Sequence, residues 1–461
     1  MDVPRMLNLM TRLAQLRRHE RWTRPQLDAY QAESLRRQRA YAYTHSPFYQ
    51  RFHHGLFDRP LHEPPILTKA VMMEHFDELI TDPALRLDDL RAYAAHGEAG
   101  MRYRNRYWVN ATSGSSGQPG FFVFDDAEWV TILASFARGQ EWSGMLIHLT
   151  QRQRMATVAS ISPWHLSSQV AATAKSWWRP SLRLPASQPL SQTVAQLNGW
   201  RPDVLIAYAS MAGILAEEQL AGRLHIAPHA VYTSSEVLTP QTRQHVRLAW
   251  GDEPFDQYGA TETADIAAEH RGCRRMHLFE DLLLAEVVDE QHRPVPPGAY
   301  GAKLLITTLF SRTQPLIRYE LNDSVRISTE AHGCHLPFAV LESVQGRSED
   351  ALELPGMTGG RITVQPLVFN RVMDIVPASG WQVIQGVDDS LTVLLSGIGD
   401  GLSDTALRDQ LAASLAQEHV LTPTITIEHV VAIPKTAAGK APLIKAYRVP
   451  EQTRVSGAAL R

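Results

Sequence analysis

Cysteine is nearly missing: the chain holds two, Cys273 and Cys334, in 461 residues. That is too few for a disulfide scaffold of this size and favours a reducing compartment, read here as the cytoplasm. Net charge is scarce too, at -3 with an isoelectric point near 6.7. Electrostatics therefore gives no reason to expect nucleic acid or an anionic membrane as a partner. Long apolar runs are also lacking. Leu282 to Val288 is short and broken by Glu286, which excludes a bilayer-spanning helix there. Met1 to Arg24 mixes Leu and Met with Arg17, Arg18, Glu20 and Arg21, without the apolar core of a signal peptide. What remains is globular material, 44% apolar and 20% charged, long enough for about two to four domain-sized units. A soluble protein that handles small molecules is expected.

The periodicity changes along the chain. Residues 1 to about 60 read as helical, with Arg36, Arg37 and Arg39 on a solvated face. Tyr103 to Asn110 and Phe121 to Phe124 read as strands joined by a Gly/Ser loop, and Asp125-Asp126 caps a helix with Trp129, Ile132, Leu133 and Phe136 on one side. Val204 to Ala209, Ala230 to Thr233 and Phe255 to Tyr258 are strands separated by helices over Met211 to Leu220 and Pro240 to Trp250. That alternation implies a parallel sheet with Ser210, Ser234 and Gly259 at one carboxyl edge, where a ligand should sit. From Leu282 to Ile327 the pattern is hairpin-like, suggesting a small antiparallel barrel or sheet. Beyond Gly346 a separate α+β unit of about 110 residues follows. Expected strands there are Trp381 to Val387, Leu391 to Leu395 and Ile425 to Ile433, with a helix near Thr405 to Glu418.

Four segments carry chemistry. Thr112-Ser113-Gly114-Ser115-Ser116-Gly117-Gln118-Pro119-Gly120 lets backbone N–H groups and hydroxyls approach phosphate oxygens. It is not a Walker A loop, because no Lys follows and a strand comes next. Alone it is equally a flexible hairpin. Tyr258-Gly259-Ala260-Thr261-Glu262-Thr263 offers a ring that could stack on adenine and a carboxylate that could hold Mg²⁺. Leu316-Ile317-Arg318-Tyr319 leads to Asp323, which could accept both ribose hydroxyls. Pro434-Lys435-Thr436-Ala437-Ala438-Gly439-Lys440 is a Gly-containing loop ending in a cation suited to a developing phosphoryl charge. Singly, each has an ordinary reading as a turn, a surface carboxylate or a solvated Lys.

In this order and together, the segments resemble the adenylate-forming superfamily of acyl-CoA synthetases, adenylation domains and luciferase, specifically its phenylacetate-CoA ligase-like branch. Pro65-Ile66-Leu67-Thr68-Lys69, Met276-His277 and Glu280-Asp281 are branch-like as well. The resemblance implies an α/β fold: a large N-terminal domain (1–345) with mainly parallel sheets and a small β-barrel-like part, then a small mobile α+β domain (346–461). It implies an AMP-forming acid–thiol ligase that uses ATP, Mg²⁺ and coenzyme A.

By the same resemblance Thr112 to Gly117 cradle the departing phosphates. Ser234, Ser235, Glu236 and Tyr258, with Gly259 and Thr261, line the nucleotide, and Glu262 binds Mg²⁺. Asp323 and Arg347 grip ribose, Lys440 bridges carboxylate and α-phosphate, and Glu349-Asp350 is the hinge. Trp164, His165, Tyr208, Ala209 and Ser210 would face an aryl or small branched acid. A homodimer is compatible with the family, and so is a carrier-protein partner.

Three departures stand out. Gly120 occupies a position where many superfamily members have Lys. Ser348-Glu349-Asp350 replaces the usual paired aspartates. Leu354 to Gly360 does not match the Arg-Gly-x-Asn stretch that faces the CoA channel, so a carrier-protein thiol or an amine stays open as the acceptor. His270, Cys273, His277 and Cys334 can be drawn as a zinc site, but no Cys-x-x-Cys pair is present and reduced, partly buried cysteines are the plainer expectation. No Gly-x-Ser-x-Gly elbow points to a hydrolase.

Overall fold

The computed structural model describes residues 3–112, 119–145, 152–174, 179–330, 333–347, 351–399, 401–436 and 439–447. The amino-terminal third is helical as expected: α1 (Val3–His19), α2 (Arg24–His45), α3 (Pro47–Phe52), α4 (Lys69–Glu74), α5 (Phe76–Leu79) and α6 (Leu87–His96). Arg36 and Arg37 do lie on a solvated face, both paired with Glu33. Arg39 does not. It is buried, and its guanidinium donates to the backbone carbonyls of Arg59 and Leu56, closing the end of a turn that would otherwise bury unsatisfied oxygens.

The Gly/Ser loop joins β1 (Trp108–Ala111) to β2 (Phe121–Phe124), an antiparallel pair. The first strand is shorter than its alternation suggests, because Arg104 and Asn105 adopt positive φ and turn the chain. Helix α7 (Asp126–Trp142) follows. Its N-cap Asp125 accepts from the N–H groups of Ala127 and Glu128, and Glu128 reaches back to the Asp125 N–H, a reciprocal capping box.

Next come β3 (Met155–Ala159), α8 (Leu166–Ala174), β4 (Ser181–Pro185), α9 (Leu190–Trp200), β5 (Val204–Tyr208), α10 (Ala209–Leu220), β6 (Ala230–Ser234), α11 (Pro240–Trp250) and β7 (Phe255–Ala260). Helix α11 begins where the Thr239-Pro240 signal puts it, with the Thr239 hydroxyl accepting from Thr242 N–H, and stops at Gly251 with φ +87°. Strands β4, β3, β5, β6 and β7 run parallel in that spatial order. The carboxyl ends of β5, β6 and β7 therefore bring Ser210, Ser234 and Gly259 to one edge.

The sheet continues antiparallel through β8 (Ala264–His270) and β9 (Arg275–Leu278). After β10 (Leu283–Val288), β11 (Lys303–Thr308) and β12 (Tyr319–Leu321), which form a three-stranded antiparallel sheet, β13 (Asp323–Ile327) and β14 (Val340–Arg347) rejoin the large sheet beside β9. β13 also packs on β10 and β11, which gives this part its barrel-like wrap.

Two buried polar pins hold the amino-terminal helices on this frame. Asp281 accepts from Arg138 at 2.9 Å and sits 2.8 Å from His19, and Glu280 takes Arg24 and the Ala339 N–H. The Arg138–Asp281 pair is fully buried, so removing either partner alone would strand a charge, at a cost of about 3–5 kcal/mol.

The remaining chain forms β15 (Leu352–Pro355), β16 (Arg361–Val364), α12 (Pro366–Met373), β17 (Ala378–Gln385), β18 (Leu391–Ile398), α13 (Asp404–Gln417), β19 (Ile425–His429) and β20 (Ile444–Lys445). Trp381, Val383, Val393, Leu411 and Leu415 belong to an apolar core drawn wholly from residues after 351. The final expected strand stops at His429, four residues before Ile433.

Candidate active site

A large cleft of about 1620 Å³ opens at the carboxyl edge of the parallel strands, and residues of β12–β13 and of the last unit complete its walls. Thr112, Tyr208, Ser210, Ser234, Ser235, Glu236, Tyr258, Gly259, Thr261, Glu262, Asp323 and Lys440 all border it. Segments distant in sequence thus meet, which is what the motif readings require.

At one end, Tyr258 on β7 donates from its hydroxyl to Asp323 at the start of β13, 2.6 Å away. This bond ties the ring to the carboxylate. Arg347 closes β14 directly opposite Asp323 in the strand register. Strand β7 runs two residues further than expected, so that Gly259 and Ala260 also lie within it, and Thr261 to Thr263 make the turn into β8. Gly259 is required by space, since a Cβ there would lie 2.9 Å from the Ala264 carbonyl and 3.0 Å from Asp265 Oδ1. Glu262 stands on that turn at the cleft wall. Ser235, at φ +68°, bends the chain sharply between Ser234 and Glu236, a strained conformation of the kind that marks functional turns.

Of the Gly/Ser loop, Ser113, Gly114, Ser115, Ser116 and Gly117 lie outside the described residues, and so do the hinge residues Glu349 and Asp350. Its two ends are placed. Thr112 N–H donates to the Gly120 carbonyl at 3.0 Å, and Gly120 N–H donates to Thr112 Oγ1 at 2.8 Å. Lys69 adds a cation that the motif reading left without a role. Its Nζ lies 3.3 Å from Thr112 Oγ1 and its Cε 3.1 Å from where a Gly120 Cβ would sit. Helix α4 thus places a cation beside position 120.

The placement of Lys69 has a structural cause. Leu67 pairs with β12 through Leu67 N–H to Arg318 O and Glu320 N–H to Leu67 O, both at 3.0 Å. The buried Arg318 guanidinium donates to His62 O and Pro64 O. The Pro65 to Lys69 stretch, legible as branch-like but without assigned chemistry, is thereby the rail that delivers Lys69.

At the other end, Lys435, Thr436 and Lys440 line the cleft. Lys440 Nζ lies 5.5 Å from the centroid of the Tyr208 ring, inside cation–π range. Thr436 N–H donates to Lys440 O at 2.7 Å, and Lys440 N–H donates to the Thr436 hydroxyl at 3.2 Å. Gly439, at φ +80°, packs so closely on β4's exit that a Cβ would meet Ala186 and Ser187 backbone atoms at 2.8 Å. Glu236 joins the two parts of the protein: one oxygen accepts from Ser210 N–H at 2.9 Å and the other from Ala441 N–H at 2.7 Å. The Ser235 turn points this carboxylate at the α10 amino terminus, and Glu236 stays on the cleft wall.

Among the expected acid-pocket residues, His165, Tyr208 and Ser210 border the cleft. Trp164 and Ala209 do not. The Trp164 ring packs on Gly97 and meets Tyr93 edge-on at 5.3 Å, while its carbonyl accepts from Ala111 N–H at 2.9 Å. Ala209 is buried at the first turn of α10. Burial, and then the nearby Lys440 charge, lower the His165 pKa, which favours the neutral imidazole. Burial lowers the Lys435 pKa as well.

The fold defines the class first. This is the architecture of the adenylate-forming CoA ligases: the chain superposes on 2-hydroxyisobutyryl-CoA ligase in its postadenylation state with TM-score 0.71, covering 95% of this chain and 92% of that one at 18% identity. In sequence it is a homologue of the phenylacetate-coenzyme A ligase of Thermus thermophilus, 26% identical over 371 residues, or 77% of this chain and 76% of that protein. Protein CapK of Staphylococcus aureus is 24% identical over 143 residues, 31% of this chain and 30% of that protein. No protein-family model matches the chain. The resemblance drawn from the motifs is borne out by the first two likenesses.

Proposed function

We propose that this chain activates a carboxylic acid with ATP and passes the acyl group to coenzyme A. In the first half-reaction a carboxylate oxygen attacks the α-phosphorus, the bond to the β-phosphate oxygen breaks, and pyrophosphate leaves. In the second, the coenzyme A thiol attacks the adenylate carbonyl, its proton passes to solvent, and AMP leaves. The observation that carries the reading is the convergence on one cleft of Lys440, the Tyr258–Asp323 pair and the Lys69–Thr112 contact, from five separate stretches of sequence.

The residues divide the work. Lys440 and Lys69 oppose negative charge that spreads over the phosphoryl oxygens in the transition state. The ribose is read by Asp323, held by Tyr258, with Arg347 opposite. No general base is needed, since the acid is already ionised. Glu262 is a hard oxygen donor on the cleft wall and fits Mg²⁺, which takes one or two carboxylates and substrate phosphates. Bound there, the ion supplies charge neutralisation at the phosphates.

The cleft wall near Lys440 includes the Tyr208 ring, with His165, Ser210 and Met211 also on the lining. That supports a compact aryl or branched acid, in keeping with the phenylacetate and 2-hydroxyisobutyryl groups in the relatives' names. We place the domain boundary near residue 345 and the hinge at Glu349-Asp350, supported by the separate core after residue 351. Rotation there would withdraw Lys440 and admit the thiol. No described helix is long and apolar enough to cross a membrane, which supports a cytoplasmic enzyme.

A panel of carboxylic acids tested for acid-dependent ATP–pyrophosphate exchange, then for thioester with coenzyme A, checks the proposal. Exchange with none of the acids would overturn adenylation. A second reading keeps the adenylate and changes the acceptor to a carrier-protein thiol or an amine. It is favoured by the β15–β16 hairpin, whose 354–360 turn lacks the usual Arg-Gly-x-Asn stretch. Thioester formation with free coenzyme A at the rate of adenylation would exclude it.

A further inference from the structure

Away from the chemistry of the cleft, the donor atoms of His270, Cys273 and Cys334 come together, and His277 reaches Cys273. We propose that His270, Cys273, His277 and Cys334 bind a structural zinc ion that ties the β8–β9 turn to the loop entering β14.

The donor atoms of His270, Cys273 and Cys334 lie within 4.8 Å of one another. Cys334 Sγ is 3.4 Å and Cys273 Sγ 3.8 Å from His270 Nδ1, and Cys273 Sγ is 3.3 Å from His277 Nε2. Zinc holds sulfur at ~2.3 Å and nitrogen at ~2.05 Å with tetrahedral angles, which sets sulfur–nitrogen separations at about 3.5 Å. The three observed separations bracket that value. Both cysteines are free of disulfides and half-buried, so two sulfur donors are available at a partly shielded site.

The surroundings are built for ligands. His277 Nδ1 lies 3.1 Å from the Phe338 carbonyl. That contact fixes the tautomer with the proton on Nδ1 and turns the Nε2 lone pair toward Cys273, the arrangement found behind metal-bound imidazoles. His270 and Cys273 stand at the ends of a tight turn, with Cys273 N–H and Arg274 N–H both donating to His270 O at 3.3 and 2.8 Å. This His-x-x-Cys turn gives the local bite of a Cys-x-x-Cys pair with imidazole in the first position, which is why spacing rules tuned to paired cysteines pass over it. Two sulfurs and two imidazoles favour zinc over the hard cations. Four protein ligands leave no open position, so the site is structural. Its effect would fall on β9 and β14, which pair at His277–Val340 and Met276–Leu341. β14 is the strand that ends at Arg347.

The test uses the full chain purified without chelator. Elemental analysis should give about one zinc per chain, and an organomercurial titration should release it in step with two thiols. Cys273→Ser and Cys334→Ser should each retain at least tenfold less zinc. Should both variants fail to fold, Co²⁺ exchanged into the native chain should show tetrahedral d–d bands with thiolate charge transfer. A native chain that keeps no zinc after incubation with zinc chloride and desalting overturns the proposal. So does a Cys273–Cys334 disulfide in the freshly purified chain, full zinc retention in Cys273→Ser, or a Co²⁺ form without those bands.

Discussion

The two ends of the cleft are built differently. The nucleotide end is assembled from strands of one sheet and the segment zipped to β12: Tyr258 and Asp323 sit on β7 and β13, and Lys69 follows a stretch pinned by Arg318. Its contacts are part of a continuous core. The Lys440 end is a docked contact between separate cores, made by Glu236 to Ala441, by Gly439 on Ala186, and by Lys440 over Tyr208. Under the proposed function, rigid framework suits groups that hold the AMP moiety through both half-reactions. A contact of a few backbone hydrogen bonds suits a cation needed only in the first, because it can be released at small cost.

The sharpest break of that contrast is Lys440→Ala. Acid-dependent ATP–pyrophosphate exchange should fall about 100-fold or more, the scale of losing one transition-state charge partner. Thioester formation from supplied acyl-adenylate should persist. Equal losses in both half-reactions would mean that Lys440 belongs to the framework instead. Next is Gly439→Val. A β-branched residue at φ +80° against the Ala186 backbone should disfavour the docked arrangement by about 2 kcal/mol, or about 30-fold in exchange. The thioester half-reaction should again be spared, since undocking does not touch the nucleotide end.

The same division explains what the sequence reveals. Local periodicity places α7, α11 and the β5–β6–β7 edge, because capping at Asp125 and Thr239 and the stop at Gly251 act within a turn of the chain. The motif residues Tyr258, Asp323 and Lys440 are legible as isolated donors. Their partners are not, since the Tyr258–Asp323 bond and the Glu236–Ala441 clamp join segments fixed only by sheet topology. Lys69 is hidden for a related reason: its role follows from the pairing of Leu67 with β12, a bridge with no periodic signature. Trp164 misleads in the other direction, because alternation cannot tell which side of a short loop the ring takes, and Gly97 leaves it a slot away from the cleft.

At the framework end the expected effects are smaller and confined to ATP. Lys69→Met should lower kcat/KM for ATP about tenfold, the worth of one charge-assisted contact of about 1.5 kcal/mol, with KM for the acid unchanged. Tyr258→Phe removes one hydrogen bond to Asp323, about 1 kcal/mol, and should raise KM for ATP about fivefold with kcat nearly intact. A larger effect on exchange than that of Gly439→Val would erase the distinction between the two ends.

The smallest effect concerns the docked end's response to acid. His165 carries a lowered pKa, first from burial and then from Lys440, so folding and docking favour its neutral form. The sign follows from linkage: its contribution is fully present above the unfolded value of about 6.5 and is lost as pH falls through the folded value. Protonation would also put a second cation beside Lys440 and push the loop outward. His165→Gln should therefore show a flatter dependence of Tm on pH than the native chain between about pH 5 and 7, with the two curves converging above neutrality. Parallel curves across that range would separate His165 from the Lys440 contact and leave the docked end insensitive to pH.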